Sequence, residues 1–177
     1  MQEITNTMRM ETPEEKQQRK PITEQEALQK LASICAKGEH CTGEMLTKME
    51  RWGLDESQKA SVIAQLIEGK YIDDRRFCQL FIHDKMKFDK WGERKIQQAL
   101  WQKRIDPALI KEALDDVDDA EYIAILRPLL QAKQKSIKAN DDYERNMKLI
   151  RYALGRGFTI DIIRKCIDNA EDYYEEQ

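Results

Sequence analysis

The chain has few of the residues that interrupt helices and few of those that enzymes use as general bases. Its 177 residues include 7 glycines, 4 prolines and 2 histidines, whereas charged residues make up 36%. Long charged side chains lose little rotamer freedom in a helix, and a sheet of short strands would need more turn residues. Hydrophobic residues, at 41%, suffice for a core. The composition therefore predicts an all-α protein.

Motifs for phosphate binding and for catalysis are also missing. The sequence contains no G-x-x-x-x-G-K-S/T, no H-E-x-x-H and no G-x-S-x-G. Its 4 cysteines do not form the closely spaced pairs of a zinc site. Acidic pairs such as Asp73-Asp74 stand where helices should begin, and there a carboxylate stabilises the helix dipole. We expect no enzymatic activity, no metal and no cofactor.

Long apolar stretches are absent as well. No run approaches the ~18 apolar residues of a membrane span, and the N-terminal residues lack the apolar region of a signal peptide. We therefore expect a cytoplasmic protein that makes no membrane contact. In that reducing compartment the cysteines should be free thiols.

The sequence does contain a recurring helical pattern of apolar residues with helix-start signals between the segments. Thr23 and Glu26 have the spacing of a capping box, and Asp106 precedes Pro107 at a first helical position. By the same reasoning Thr42 should cap a helix. A further long helix should bury an apolar stripe that comprises Phe77, Leu80, Phe81 and Met86.

The apolar positions fall into three helix triplets that align with each other. In each triplet, three apolar residues follow a spacing of four and then five positions. They are Met45, Met49 and Leu54; Ile96, Leu100 and Ile105; and Leu149, Ala153 and Phe158. Amphipathic helices can share such a spacing by chance. In all three triplets, however, a turn precedes the last of the three apolar residues, and this favours a true repeat. We predict three tandem three-helix repeats that form an elongated, curved body.

The pattern also sets the expected boundaries. Residues 1–20 should form a disordered tail, because they are polar and lack a helical period. Residues 21–72, 73–117 and 118–170 should form the three repeats, and residues 171–177 an acidic tail. A body of this kind suits binding along a groove or filament better than enclosing a small substrate.

Positive charge gathers in the second triplet, although the net charge of the chain is −3. Nine basic residues and three acidic residues lie between positions 75 and 104. The basic residues are Arg75, Arg76, Lys85, Lys87, Lys90, Arg94, Lys95, Lys103 and Arg104. They indicate a surface for phosphates or for an acidic protein, with an ordinary solvated helix face as the alternative.

Three short segments resemble the signature of a bacterial family. Residues 69–78, GKYIDDRRFC, resemble the element G-Y-I/L-D/N-D-x-R-F/Y-A of the RecX regulatory proteins. Residues 91–96, followed by Leu100 and Ile105, are similar to a second element of that family, and residues 154–158, LGRGF, to a third. The order and spacing of the three elements strengthen the resemblance.

The family pattern also assigns structural positions. Residues of this chain that match it are Tyr71, Ile72, Asp73, Asp74, Phe77, Gly92, Ile96, Leu100, Gly157 and Phe158. We expect Tyr71, Ile72 and Phe77 to pack the junction between repeats, and Asp73 or Asp74 to cap the following helix.

Two positions depart from the family pattern. Cys78 stands where the family usually has alanine, which exchanges one small residue for another. Arg104 stands where it usually has glycine, so a different helix end is expected there.

The resemblance implies a modular fold of three-helix repeats and a partner. That partner is RecA, on its own and in RecA–ssDNA filaments, whose ATP hydrolysis and strand exchange a RecX protein inhibits. The implied role lies in recombination, DNA repair and the SOS response. We expect a monomer that contacts RecA, and DNA as well, through the nine basic residues. A stand-alone DNA-binding module and a helical-repeat adaptor remain alternatives.

Overall fold

A computed structural model describes residues 22–167, and the tails predicted at residues 1–20 and 171–177 lie outside the described residues. Every regular element within residues 22–167 is a helix, which confirms the all-α prediction. The elements are α1 (Glu24–Cys35), α2 (Thr42–Arg51), α3 (Glu56–Glu68), α4 (Asp74–Lys87), α5 (Glu93–Gln102), α6 (Pro107–Asp115), α7 (Asp119–Gln134), α8 (Asp142–Gly155) and α9 (Ile160–Arg164).

Local capping explains where several helices begin. At α1 the Thr23 hydroxyl accepts the Glu26 N–H, and the Glu26 carboxylate accepts the Thr23 N–H at 2.9 Å. Asp55 caps α3 in the same manner, and Asp106 caps α6 ahead of Pro107. Each cap satisfies backbone donors that have no partner inside the helix.

The start of α2 differs from the expectation that Thr42 is its cap. Cys41 is the N-cap residue, its side chain makes no capping hydrogen bond, and Thr42 is the first helical residue. The Thr42 N–H donates instead to Oδ1 of Asp74 at 2.7 Å. The prediction for Thr42 was wrong because the Cys41 oxygen accepts the Met45 N–H at 3.3 Å, so the helix begins one residue earlier and contains Thr42.

The helices pack as three successive triplets, which we call repeats 1, 2 and 3. In repeat 1, α1 and α2 pack on α3; in repeat 2, α4 and α5 pack on α6; in repeat 3, α7 packs on α8 and α9. One apolar core lies within repeat 1, whereas a second is shared by repeats 2 and 3. Among the described residues, Cys41 is the one buried side chain that repeat 1 adds to the second core. Repeats 2 and 3 therefore form one block.

Successive repeats contact each other through their second helices, α2, α5 and α8. The starts of α2 and α5 each pack against the end of the corresponding helix in the next repeat. A Cβ atom on Gly43, in α2, would lie 1.8 Å from the backbone oxygen of Lys103, just past α5. A Cβ atom on Gly92, at the start of α5, would lie 2.3 Å from the backbone nitrogen of Phe158, past α8. Backbone contact this close permits no side chain at either glycine.

The turn that ends each second helix has the same left-handed conformation. The residues before Leu54, Ile105 and Phe158 have positive φ angles. They are Gly53 at 80°, Arg104 at 61° and Gly157 at 89°. The expected different helix end at Arg104 was wrong: the arginine adopts the glycine-like turn, at a cost of about 1–2 kcal/mol for a residue with a Cβ atom.

Two residues predicted to lie inside are at the surface. Tyr71 is 42% exposed and Leu80 is 44% exposed. Lys70, with φ of 57°, turns the chain so that Ile72 rather than Tyr71 enters the core. Leu80 faces outward because α4 lies against α6 and α7, and this packing buries the face with Cys78 and Ile82.

Candidate functional site

Three of the nine predicted basic residues bind carboxylates of repeat 1. Their contacts, which we call the junction ion pairs, are Arg76 with Glu39, Lys103 with Glu44, and Arg104 with Glu50. The Arg76 Nε–Glu39 Oε2 distance is 3.0 Å, and the Arg104 Nη1–Glu50 Oε1 distance is 2.8 Å. These bases therefore join repeat 2 to repeat 1.

The charges in the junction perturb the carboxyl groups. Burial alone would raise the pKa of Glu44, but hydrogen bonds from Lys103 and His40 outweigh it and hold the pKa below its ordinary value. The hydrogen bond from Arg104 likewise lowers the pKa of Glu50. Both carboxylates are thus ionised, and the junction is charged on both sides, at neutral pH.

Two further candidates have partners within repeat 2. Arg75 forms an ion pair with Glu112 of α6, which raises the pKa of Arg75 and lowers that of Glu112. Lys85 Nζ lies 2.8 Å from Asp89 Oδ2. Their positive charge is offset locally.

The other four candidates are exposed and form no ion pair with any described residue. They occupy the end of α4, the connecting turn and the start of α5, and we call them the α4–α5 basic cluster. Its members are Lys87, Lys90, Arg94 and Lys95. This cluster places four bases without an ion pair within nine residues of chain, where Asp89 and Glu93 are the acidic residues.

Aromatic rings alternate with lysines beside the cluster. The ammonium groups of Lys85 and Lys95 lie 4.7 and 4.8 Å from the ring centre of the half-buried Trp91. Lys85 also lies 5.5 Å from the ring of Phe81, and Lys103 lies 5.6 Å from that ring. These cation–π contacts form a row of charges and rings from the cluster to the junction ion pairs. Surfaces that bind single-stranded nucleic acid combine positive charge with aromatic rings in this way.

An apolar groove of about 470 Å³ lies on the other side of α4. Ile82, Met86, Val117 and Ile125 line it, and Lys87 and Lys90 stand at its edge. Two members of the basic cluster thus border an apolar surface between repeats 2 and 3.

The described residues offer no alternative site with metal or thiol chemistry. Within residues 22–167, no group of three or more His, Cys, Asp or Glu side chains could hold a metal ion. Cys41 and Cys78 are buried, and burial raises the pKa of each thiol to about 11. No helix in the same range is long and apolar enough to cross a membrane.

The signature residues lie mostly in the core and at helix starts. Ile72, Phe77, Ile96, Leu100 and Phe158 are buried. The Asp73 side chain accepts the Arg76 N–H at 3.0 Å and caps α4, Gly92 is the N-cap residue of α5, and Gly157 occupies the left-handed turn.

The sequence did not reveal the acidic half of the repeat 1–2 junction. Glu39, Glu44 and Glu50 lie 37, 59 and 54 residues from the bases that they bind. No periodicity or motif connects positions so far apart. Only an alignment of one repeat with the next could have suggested that these glutamates bind bases of repeat 2.

Comparison with known families gives two matches to this chain. Residues 73–114 match the family model for the second three-helix domain of RecX, and residues 119–167 match that for the third. Together the matched segments cover repeats 2 and 3.

Several curated relatives carry the name regulatory protein RecX. That of Acinetobacter baylyi is 29% identical over 140 residues, which cover 79% of this chain and 85% of the relative. That of Chlorobium phaeobacteroides is 31% identical over 133 residues, or 73% of this chain and 83% of the relative. The chain spans only 59% of the relative from Clostridium botulinum strain Eklund 17B, with 30% identity.

Solved structures show the same fold. A crystal structure of regulatory protein RecX aligns with a TM-score of 0.75 at 16% identity over 82% of this chain and 73% of that one. RecX from Lactobacillus salivarius aligns with a TM-score of 0.74 at 19% identity over 84% and 96% of the two chains. These matches confirm the helical-repeat fold, and with the sequence relatives they show that the chain belongs to the RecX family of regulatory proteins.

Proposed function

We propose that this protein binds RecA–ssDNA filaments and inhibits the RecA ATPase and strand exchange, without a catalytic step of its own. The α4–α5 basic cluster beside Trp91 is the observation that carries the proposal. Exposed bases that form no ion pair, next to aromatic rings, suit a partner that presents phosphates. RecA is the partner because the family is one of RecA regulators, as the resemblance implies.

The wider setting follows from the same proposal. The protein would act as a cytoplasmic monomer in recombination, DNA repair and the SOS response. Its repeats would span residues 21–72, 73–117 and 118–170, and the continuous core of the second and third supports their acting as one rigid unit.

The test is RecA-dependent ATP hydrolysis on single-stranded DNA, measured with increasing amounts of this protein. We expect the wild-type protein to slow hydrolysis and a variant with four neutralised bases to lose most of this effect. The variant combines Lys87→Gln, Lys90→Gln, Arg94→Gln and Lys95→Gln. Unchanged hydrolysis at saturating wild-type protein would contradict the proposal.

A matched control neutralises three lysines and one arginine of repeat 1. It combines Lys30→Gln, Lys37→Gln, Lys48→Gln and Arg51→Gln. Both variants change the net charge equally, so a loss of inhibition confined to the first assigns the contact to the α4–α5 basic cluster. Equal losses would show that total charge, rather than this surface, matters.

The row of lysines and rings also favours a second candidate, a module that binds DNA without RecA. Such a module should bind a single-stranded oligo(dT) with an affinity that falls steeply as salt rises. Absence of binding at low ionic strength would eliminate it.

A further inference from the structure

The two junctions between repeats differ in the forces that hold them. At the repeat 2–3 junction, the Gly92 N–H donates to the Arg156 oxygen at 2.8 Å and the Arg94 N–H to the Gly157 oxygen at 2.9 Å. The apolar core is also continuous there. At the repeat 1–2 junction, Cys41 is the one described buried side chain of repeat 1 that joins the second core, and side-chain carboxylates meet side-chain bases. Of these contacts, only the ion pairs at the repeat 1–2 junction are open to competition by other anions.

Two of the three junction ion pairs are well exposed to solvent, whereas Lys103 and Glu44 of the third are 28% and 26% exposed. The side chains of Arg76 and Glu39 are 39% and 38% exposed, and those of Arg104 and Glu50 are 50% and 41% exposed. Exposed ion pairs are weak and screened by salt. A dense array of phosphates could therefore replace the carboxylates as partners of these bases.

The row of lysines and rings leads from the α4–α5 basic cluster to this junction. Lys103 holds Glu44 and also lies 5.5 Å from the ring of Phe77 and 5.6 Å from that of Phe81, with Lys85 and Trp91 next in the row. A nucleic-acid strand bound at the cluster would thus reach Lys103 along a continuous basic surface.

We propose that single-stranded DNA phosphates displace Glu39, Glu44 and Glu50 from their bases and so loosen repeat 1 from the block of repeats 2 and 3. The junction ion pairs, together with the Thr42–Asp74 hydrogen bond and the close backbone contact at Gly43, hold the closed arrangement in the absence of DNA. Binding converts three internal contacts into DNA contacts, and repeat 1 becomes able to adjust to the surface on which the protein lies. This rests on the proposed function, since it takes the phosphates to be those of a DNA filament.

The experiment measures amide hydrogen exchange in the full chain, with and without a single-stranded oligo(dT) at low ionic strength. DNA should speed exchange in the peptide that contains Thr42, whose N–H is bound to Asp74 across the junction. Exchange at Gly92 and Arg94, in the other junction, should not become faster, because their N–H groups stay bound to Arg156 and Gly157. The triple variant Glu39→Gln, Glu44→Gln and Glu50→Gln should show the fast exchange at Thr42 without DNA.

Affinity for the oligo(dT) provides the second readout. The triple variant should bind more tightly than the wild type, because DNA no longer has to displace three carboxylates before it contacts the bases. A matched control, Glu112→Gln, Asp115→Asn and Asp119→Asn, removes the same charge from three ion pairs that lie within repeats. It should leave exchange at Thr42 unchanged and gain less affinity.

The proposal would be overturned if the two triple variants gained equal affinity. It would also be overturned if neither DNA nor the Glu39, Glu44 and Glu50 triple variant altered exchange at Thr42. Failure of wild-type protein to bind oligo(dT) would overturn it as well. The ATPase assay tests the proposed function separately. If hydrogen exchange changes as expected but the protein does not inhibit RecA, the opening of the junction by DNA stands and only the proposed function is eliminated.

Discussion

Asp73 and Asp74 are adjacent carboxylates with different roles. Asp73 accepts the Arg76 N–H at 3.0 Å and caps its own helix, α4. Asp74 accepts the Thr42 N–H at 2.7 Å and completes a helix of another repeat, 32 residues away. A residue pair that resembles a family signature thus combines a local cap with a contact between repeats.

These roles predict different consequences of substitution. Asp73→Ala should lower the free energy of unfolding by about 1 kcal/mol through loss of the α4 cap. Asp74→Ala should cost a similar amount, but its effect should appear as faster amide exchange at Thr42. Urea unfolding and hydrogen exchange measure the two effects. Fast exchange at Thr42 in Asp73→Ala, with none in Asp74→Ala, would contradict this assignment.

At the scale of the element, the second helix of each repeat is defined by its two ends. Its start lies against backbone of the following repeat at Gly43 in α2 and at Gly92, the N-cap residue of α5. Its end turns through a positive φ angle, even where the residue is Arg104. In repeat 3 the corresponding helix, α8, begins with Asp142 and no glycine, and no further repeat follows it among the described residues.

Helix propensity and packing make opposite predictions for Gly43→Ala. Alanine inside a helix is favoured over glycine by about 1 kcal/mol. A Cβ atom 1.8 Å from the Lys103 oxygen must instead push the backbone of repeat 2 away, and overpacking of this kind costs roughly 1–3 kcal/mol. We expect packing to prevail and the free energy of unfolding, measured in urea, to fall.

Gly38→Ala is the control for this substitution. A Cβ atom at Gly38 would meet nothing within 4 Å, so its stability should stay within about 0.5 kcal/mol of the wild type. Stabilisation by Gly43→Ala would show that the junction yields readily, contrary to the close backbone contact.

At the scale of the whole molecule, the protein consists of one separate repeat and one block of two. The core of repeat 1 includes Leu31, Met45 and Leu66 and ends at Ile72. The core of the block joins Ile96 and Leu100 of repeat 2 to Ile150 and Phe158 of repeat 3. Because repeats of this kind are stabilised by neighbours, the block should be the cooperative unit.

The block can be tested as a fragment. We expect residues 73–167 to retain helical circular dichroism and a cooperative urea transition. Residues 119–167 alone should lack that transition, since they lose the half of their core that repeat 2 supplies. A cooperative transition in the shorter fragment, compared with the full chain under the same conditions, would contradict the shared core.

Sequence patterns were sufficient for features that depend on neighbours along the chain. Thr23 with Glu26, and Asp106, marked helix starts because capping acts over two or three residues. Three of the wrong predictions, those for Thr42, Tyr71 and Leu80, concern residues whose environment comes from distant contacts or from an unforeseen turn at Lys70.

The sequence by itself determined the helical class, the three-fold periodicity and the concentration of bases in the second repeat, because each depends on composition and spacing. Only the tertiary structure divided those bases into three that bind repeat 1, two that are paired within repeat 2 and four that form the α4–α5 basic cluster. The physical reason is that an ion pair depends on distance in space. Glu39, Glu44 and Glu50 reach their partners only after two repeats have packed together.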